Sequence, residues 1–232
     1  MATATTAGTG VHVREHRAVT AALEKRALIW LAHRLPLWVN SDHLTALGAL
    51  AMLGAGAAFA LARWEPLALT LVPVFLAVNW YGDSLDGTVA RVRGHQRPRY
   101  GYYVDHVVDL LNATVLFAGM AASGLMHPVL AMGVLVGYLL LAGESFLATH
   151  SVGIFRISFS GFGPTELRFL LAIGALVAIA RPVVRPFGLA EQRLFDVGGL
   201  VAVIGMAVVF VISAVRNGRT LYAAEPLPGR RS

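Results

Sequence analysis

The chain has 232 residues, of which 56% are hydrophobic and 14% charged, against roughly 25% charged in soluble domains. That balance excludes an ordinary soluble enzyme and predicts a membrane protein, while the absence of cysteine excludes disulfide frameworks and thiolate metal sites. The net charge of +6 reads as attraction to anionic headgroups, not nucleic-acid binding, because the basic residues flank apolar segments and form no single stripe.

Residues 1–10 are small and polar, with no apolar core behind a basic start, and read as a disordered N-terminus rather than a cleaved signal. Residues 11–39 set Leu23, Ala27, Trp30, Leu31 and Leu35 among Arg14, Arg17, Lys25, Arg26 and Arg34 at helical period. This pattern predicts an amphipathic helix lying in the membrane interface and ended by Pro36. Six windows then reach the roughly 20 residues needed to cross hydrocarbon: 44–63, 66–84, 104–126, 128–148, 166–182 and 196–215. Breaker-rich turns at Trp64-Glu65-Pro66, Met126-His127-Pro128 and 181–193 separate pairs of windows. The fold expected is therefore all-α: a polytopic membrane protein with six transmembrane helices over 40–216, preceded by the interfacial helix. Residues 217–232, with Pro226, Pro228 and Gly229, read as a flexible cytoplasmic tail. Lys and Arg concentrate before the first window, between the second and third, between the fourth and fifth, and after the sixth. The positive-inside rule then places both termini and the 83–109 loop in the cytoplasm, and the Ala-, Gly- and Arg-rich composition suits a bacterial inner membrane.

The informative segment is 83–109, which puts Asp83, Asp86, Asp105 and Asp109 into an apolar chain. Ionisable groups at membrane depth cost several kcal/mol unless paired, hydrated or metal-bound, so four aspartates there mark a functional site. At 100° per residue Asp83, Asp86, Gly87, Ala90 and Arg91 share about 140° of one helix face. Gly101, Asp105 and Asp109 step by four along the next helix. Two such helices face to face would gather four carboxylates whose repulsion a hard divalent cation or two would relieve, Mg²⁺ or Mn²⁺ by ligand type. Two metals suit phosphoryl chemistry, Arg91 offers a fork for phosphate, the small residues let a diphosphate approach the backbone, and Asp109 is placed to take a hydroxyl proton.

These residues complete a known pattern. The chain resembles the CDP-alcohol phosphotransferases, whose signature Asp-x2-Asp-Gly-x2-Ala-Arg-x8-9-Gly-x3-Asp-x3-Asp is met at every fixed position from Asp83 to Asp109. The resemblance implies a membrane-embedded enzyme of phospholipid synthesis that passes a substituted phosphate from a CDP-linked donor to an alcohol hydroxyl and releases CMP. It implies two divalent cations, with Asp83 and Asp105 bridging and Asp86 and Asp109 completing one ion each. Asp109 would also be the general base, and Gly87, Ala90, Arg91 and Gly101 would surround the CDP moiety. Many members open their first span with Asn-x-x-Thr near the nucleotide; here Thr45 is kept, while Asp42 replaces the Asn and is expected to cap the helix. Arg93, Arg97 and Arg99 are candidates to assist at the diphosphate or to anchor the loop.

The donor expected is CDP-diacylglycerol, giving phosphatidyl transfer. A second polar patch, Glu144, Thr149, His150 and Gly163-Pro164-Thr165-Glu166-Leu167-Arg168, keeps open the amino-alcohol alternative, phosphocholine or phosphoethanolamine transfer to diacylglycerol. The bland reading of that patch pairs Glu166 with Arg168 and Glu144 with Arg156. A divalent-cation transporter is the remote rival, opposed by the absence of an inverted repeat. Expected partners are the donor, the alcohol acceptor and the bilayer; Gly133 and Gly137 permit the close helix contact of a homodimer.

Overall fold

The computed structural model describes residues 19–152, 164–188 and 190–225. Seven α-helices carry most of them: α1 (Val19–Arg34), α2 (Ser41–Leu61), α3 (Leu71–Val92), α4 (Pro98–Ser123), α5 (Pro128–Val152), α6 (Pro164–Ala180) and α7 (Leu194–Ala224). Four are long and apolar enough to cross a membrane, namely α2, α4, α5 and α7. The six windows expected from sequence coincide with α2 through α7. However, α3 carries Asp83, Asp86 and Arg91 near its C-terminal end, and α6 has 17 described residues, so neither meets that standard.

Helix starts and stops follow local chemistry. Asn40 caps α2, accepting from the His43 amide at 2.9 Å while its own amide donates to His43 Nδ1 at 3.3 Å. The expectation that Asp42 caps this helix is corrected: the cap lies two residues earlier, and Asp42 is free to reach Arg97. α3 ends in a left-handed turn at Gly94, φ +68°, where the His95 amide donates to Ala90 O at 2.9 Å and that of Gly94 to Arg91 O at 3.3 Å. A side chain resists that φ, so Gly94 fixes where the signature helix stops. The 181–193 turn contains a short antiparallel pairing of β1 (Val183–Val184) with β2 (Gln192–Arg193), which sequence reading missed. α7 runs through Asn217 to Ala224, so the tail expected from 217 is corrected: its first eight residues are helical. Residues 1–18, which include Arg14 and Arg17, and the tail from 226 lie outside the described residues.

Backbone contact sets the position of the site. A Cβ on Gly82 would stand 2.5 Å from Leu44 O, and one on Gly119 would stand 2.1 Å from Gly56 O. α2 therefore touches α3 and α4 main chain to main chain, a closeness that only glycine allows. The core formed there includes Phe59, Val72, Leu76, Leu116, Phe117 and Met120, with Phe195 of α7 edge-on to Phe59 at 5.6 Å. A second cluster packs Leu28 and Ala32 of α1 against Leu44, Leu85 and Val89. Leu85 and Val89 lie inside the signature segment, so α1 forms the back wall of the helix that carries Asp83 and Asp86.

Candidate active site

α3 presents Asn79, Asp83 and Asp86 to a pocket whose opposite wall is Asp105, Val108, Asp109 and Asn112 of α4, with Thr45, Gly48 and Ala49 of α2 between them. All four signature aspartates thus line one pocket, as their helical spacing requires. Asp83 and Asp86 have separate partners. Thr45 Oγ1 donates to Asp86 Oδ2 at 2.7 Å, and the Gly87 amide also donates to Asp86. Arg168 of α6 donates from Nη2 to Asp83 Oδ2 at 2.6 Å and from Nε to Asn79 Oδ1 at 2.9 Å. Asn79, 1% exposed, donates in turn to Gly48 O at 3.0 Å. Tyr138 of α5 stands within electrostatic reach of Asp109 and Asp83.

The donor set fits hard divalent cations, being four carboxylates with no sulfur ligand. Among the described residues, however, no three acidic or histidine side chains converge as a ready cage. The sequence expectation of four carboxylates gathered at one point is therefore corrected to four carboxylates around one pocket, with Asp83 turned to Arg168 and Asp86 to Thr45.

The other expected residues divide. Thr45 is at the pocket, bonded to a ligand carboxylate. Gly87, Ala90, Arg91 and Gly101 are not among its lining residues. Arg91 donates to Thr88 Oγ1 at 2.9 Å, and the Cβ position of Gly101 meets open space. Arg93 spends its guanidinium on the backbone carbonyls of Leu35, Pro36, Leu37 and Val39. Arg97 donates to both Asp42 oxygens, at 2.7 and 2.6 Å, and that bond raises its pKa above the usual guanidinium value. Neither is directed at the pocket, which favours the anchoring role of the two expected for them.

In the second polar patch Glu144 accepts from Ser213 Oγ at 2.9 Å and from Asn217 Nδ2 at 2.7 Å, both on α7, while Thr149 donates to Ser145 O. Arg168 reaches Asp83, a partner beyond its own patch; Arg156 and Gly163 lie outside the described residues. His106 lies between the rings of Tyr102 at 4.0 Å and Phe146 at 4.8 Å, and its Nδ1 is 2.8 Å from Tyr102 O.

Sequence reasoning missed Asn79, Asn112, Tyr138 and the reach of Arg168. Asn79 and Asn112 carried a signal, since each extends an aspartate stripe, four residues before Asp83 and three after Asp109. Tyr138 carried none, and Arg168 stood out in the sequence only as part of its local patch.

A search of curated protein sequences finds no significant match. Among solved structures the chain is similar to a Mycobacterium tuberculosis phosphatidylinositol phosphate synthase crystallised with CDP-DAG bound. The two share 23% identity with a TM-score of 0.57, over 89% of this chain and 99% of that one, a likeness of fold. The family model for CDP-alcohol phosphatidyltransferase matches residues 38–216. That match spans the pocket, the signature and every helix from α2 to α6, and the chain belongs to the CDP-alcohol phosphatidyltransferase family, transferases of substituted phosphate groups in phospholipid synthesis.

Proposed function

We propose that the enzyme transfers a phosphatidyl group from CDP-diacylglycerol to the hydroxyl of a polar alcohol, releasing CMP. The observation that carries this reading is the meeting of all four signature aspartates at one pocket between α3 and α4 in a membrane chain. The related synthase crystallised with CDP-DAG supports the donor.

Asp83, Asp86, Asp105 and Asp109 would hold two divalent cations, Mg²⁺ or Mn²⁺. Such ions supply charge neutralisation at the diphosphate oxygens. The chain's own residues do the rest. Thr45 orients Asp86 through its 2.7 Å bond, and Arg168 with Asn79 orients Asp83. Asp109 takes the proton of the acceptor hydroxyl. The alcohol oxygen then bonds to the phosphorus that carries diacylglycerol, the bond from that phosphorus to the oxygen bridging to CMP breaks, and CMP departs with the electron pair. Gly87, Ala90, Arg91 and Gly101 would meet the nucleotide portion of a donor that extends beyond the pocket.

The reading includes six spans, α2 to α7, with α3 and α6 crossing beside the four more apolar helices. The pocket and both termini face the cytoplasm of a bacterial inner membrane, and α1 lies in the interface. Support comes from the basic residues around the α3 to α4 connection, Arg91, Arg93, Arg97 and Arg99.

The test is CMP release by purified protein in mixed micelles with Mg²⁺ or Mn²⁺. One arm pairs CDP-diacylglycerol with a panel of polar alcohols, and the other pairs CDP-choline or CDP-ethanolamine with diacylglycerol. Turnover in the first arm, lost with EDTA, is expected. Turnover confined to the second would replace this reading with amino-alcohol phosphotransfer.

A further inference from the structure

The α3 to α4 connection holds the α1 to α2 connection with two arginines. Arg93 is the C-terminal cap of α3, immediately before the left-handed turn at Gly94. From there Nη2 donates to Leu35 O at 2.9 Å and Pro36 O at 3.1 Å, while Nη1 donates to Leu37 O at 3.4 Å and to Val39 O. Those carbonyls follow the end of α1, where Pro36 prevents further helix and leaves acceptors unpaired by the helical pattern. Arg97 closes the other end of the same stretch on Asp42. Arg93 and Asp86 are seven residues apart, on one face of α3 and roughly 10 Å along its axis, so the clasped stretch borders the pocket.

The same stretch and the helix before it carry exposed apolar groups. Leu37 is 89% exposed, Trp38 75% and Trp30 56%, and Arg34 lies over the Trp30 ring at 3.5 Å. Lys25, Arg26 and Arg34 are exposed beside them, and the membrane-crossing length of α2 begins three residues after Trp38. Residues 36–39 are thereby confined to one face of the bilayer. Tryptophan with basic residues at that depth matches an anionic lipid surface in both polarity and charge.

We infer that Arg93 is a positioning residue that couples a lipid-docked surface, Trp30, Leu37 and Trp38, to the signature helix, and so sets the pocket mouth for a donor arriving in the membrane plane. This rests on the reading that the donor is a lipid nucleotide. A water-soluble nucleotide reaches the pocket from the aqueous side and needs only the pocket residues. The clasp therefore governs capture of the lipid donor and leaves CMP binding and the chemical step alone. Lysine is no substitute, since a compact ammonium with three donors cannot span four carbonyls from residue 35 to 39.

The experiment uses the full chain in vesicles of mixed phosphatidylglycerol and phosphatidylcholine. Arg93→Gln is expected to raise the KM for CDP-diacylglycerol about tenfold with kcat within about twofold, and Arg93→Lys to fall between it and wild type. Trp38→Ala should reproduce the KM effect with the clasp intact, and Mn²⁺-dependent CMP affinity should stay at the wild-type value in all three. A second readout needs no turnover. With Trp64 and Trp80 replaced by Phe, quenching of Trp30 and Trp38 by brominated lipid should fall by about half in Arg93→Gln, as expected for an interfacial segment released from its anchor. Unchanged KM and quenching in that variant, or CMP affinity lost in parallel with KM, would overturn the inference. A wild-type protein that turns over no CDP-diacylglycerol would defeat the donor reading, while the quenching result still decides whether Arg93 holds the docked segment.

Discussion

The α2–α3–α4 half and the α5–α6–α7 half of this enzyme are built on different terms. In the first, glycines bring main chains into contact and a chain of polar groups, Thr45 to Asp86 and Gly48 O to Asn79, runs through the packed interface. In the second, helices pack through side chains, broad apolar faces such as Leu200, Ile204, Val208, Val211 and Val215 of α7 stay uncovered, and polar content shrinks to a few pairs. Charge at membrane depth is tolerated where geometry is rigid enough to keep each group partnered. The reactive groups collect in the rigid half. The other half contributes single side chains, among them Arg168, which reaches Asp83.

The largest effect expected separates chemistry from binding within the rigid half. Asp109→Asn should lower CMP release by about 10³-fold, the loss usual for a positioned base, with Mn²⁺-dependent CDP affinity falling far less than turnover. Asp83→Asn should weaken Mn²⁺ and donor binding together, because its carboxylate is one of the proposed cation ligands. Single-turnover CMP release beside equilibrium binding would check both variants. Near-normal turnover in Asp109→Asn would move the base to another group.

Packing offers the next contrast. Gly82→Ala and Gly119→Ala each drive a Cβ into backbone that cannot move aside, at 2.5 and 2.1 Å from a carbonyl oxygen. Each should cost about 1–3 kcal/mol, read as a lower unfolding midpoint in detergent, with activity falling as the pocket walls part. Gly205→Ala in α7 meets no atom within 4 Å and should be neutral or gain up to about 1 kcal/mol from helix propensity. Equal losses at all three positions would erase the distinction between the halves.

Arg168→Met tests an ionic link between them. Asp83 is 32% exposed and Arg168 15%, so water screens the pair in part and the cost should be about 1–2 kcal/mol. It should appear as a lower midpoint in EDTA. If Asn79→Leu, which removes the other half of the Arg168 grip, costs nothing further in the double variant, the two act as one unit.

How much of this was legible in the sequence follows the same division. Asp83, Asp86, Asp105 and Asp109 announced themselves by helical spacing in an apolar chain, and the six helices α2 to α7 by length and breakers. Asn79 and Asn112 extended those stripes but lacked charge, which is what drew attention to the aspartates. The Asn40 and His43 cap escaped because the usual reciprocal partner at that position is Glu or Gln. For Arg93 and Arg97 the sequence left two roles open, at a diphosphate or as anchors. Their real acceptors are backbone carbonyls and Asp42 on another connection, which only tertiary structure brings near. α7 was ended too early at Asn217, since polar residues mark a membrane face but do not stop a helix. Arg168 belonged to a patch read locally, and its partner lies 85 residues away.

The smallest effect expected is at Glu144, and it bears on which alcohol chemistry the apolar half can support. Its carboxylate is the acidic group of α5, held by Ser213 and Asn217 of α7, with Ser213 3% exposed. A glutamine there keeps the bond from Asn217 and offers an amide hydrogen to the Ser213 oxygen, whose hydroxyl can turn to accept it. The exchange also removes a charge from membrane depth, so the midpoint should hold or rise and CMP release should stay within about threefold of wild type. The amino-alcohol alternative requires the opposite result. A carboxylate that grips a substrate ammonium loses most of that attraction as an amide, and turnover with CDP-choline or CDP-ethanolamine would then fall by about 10²-fold. Indifference to Glu144→Gln under CDP-diacylglycerol would leave α5 and α7 joined by a neutralisable latch, and the chemistry wholly with the helices that glycine holds together.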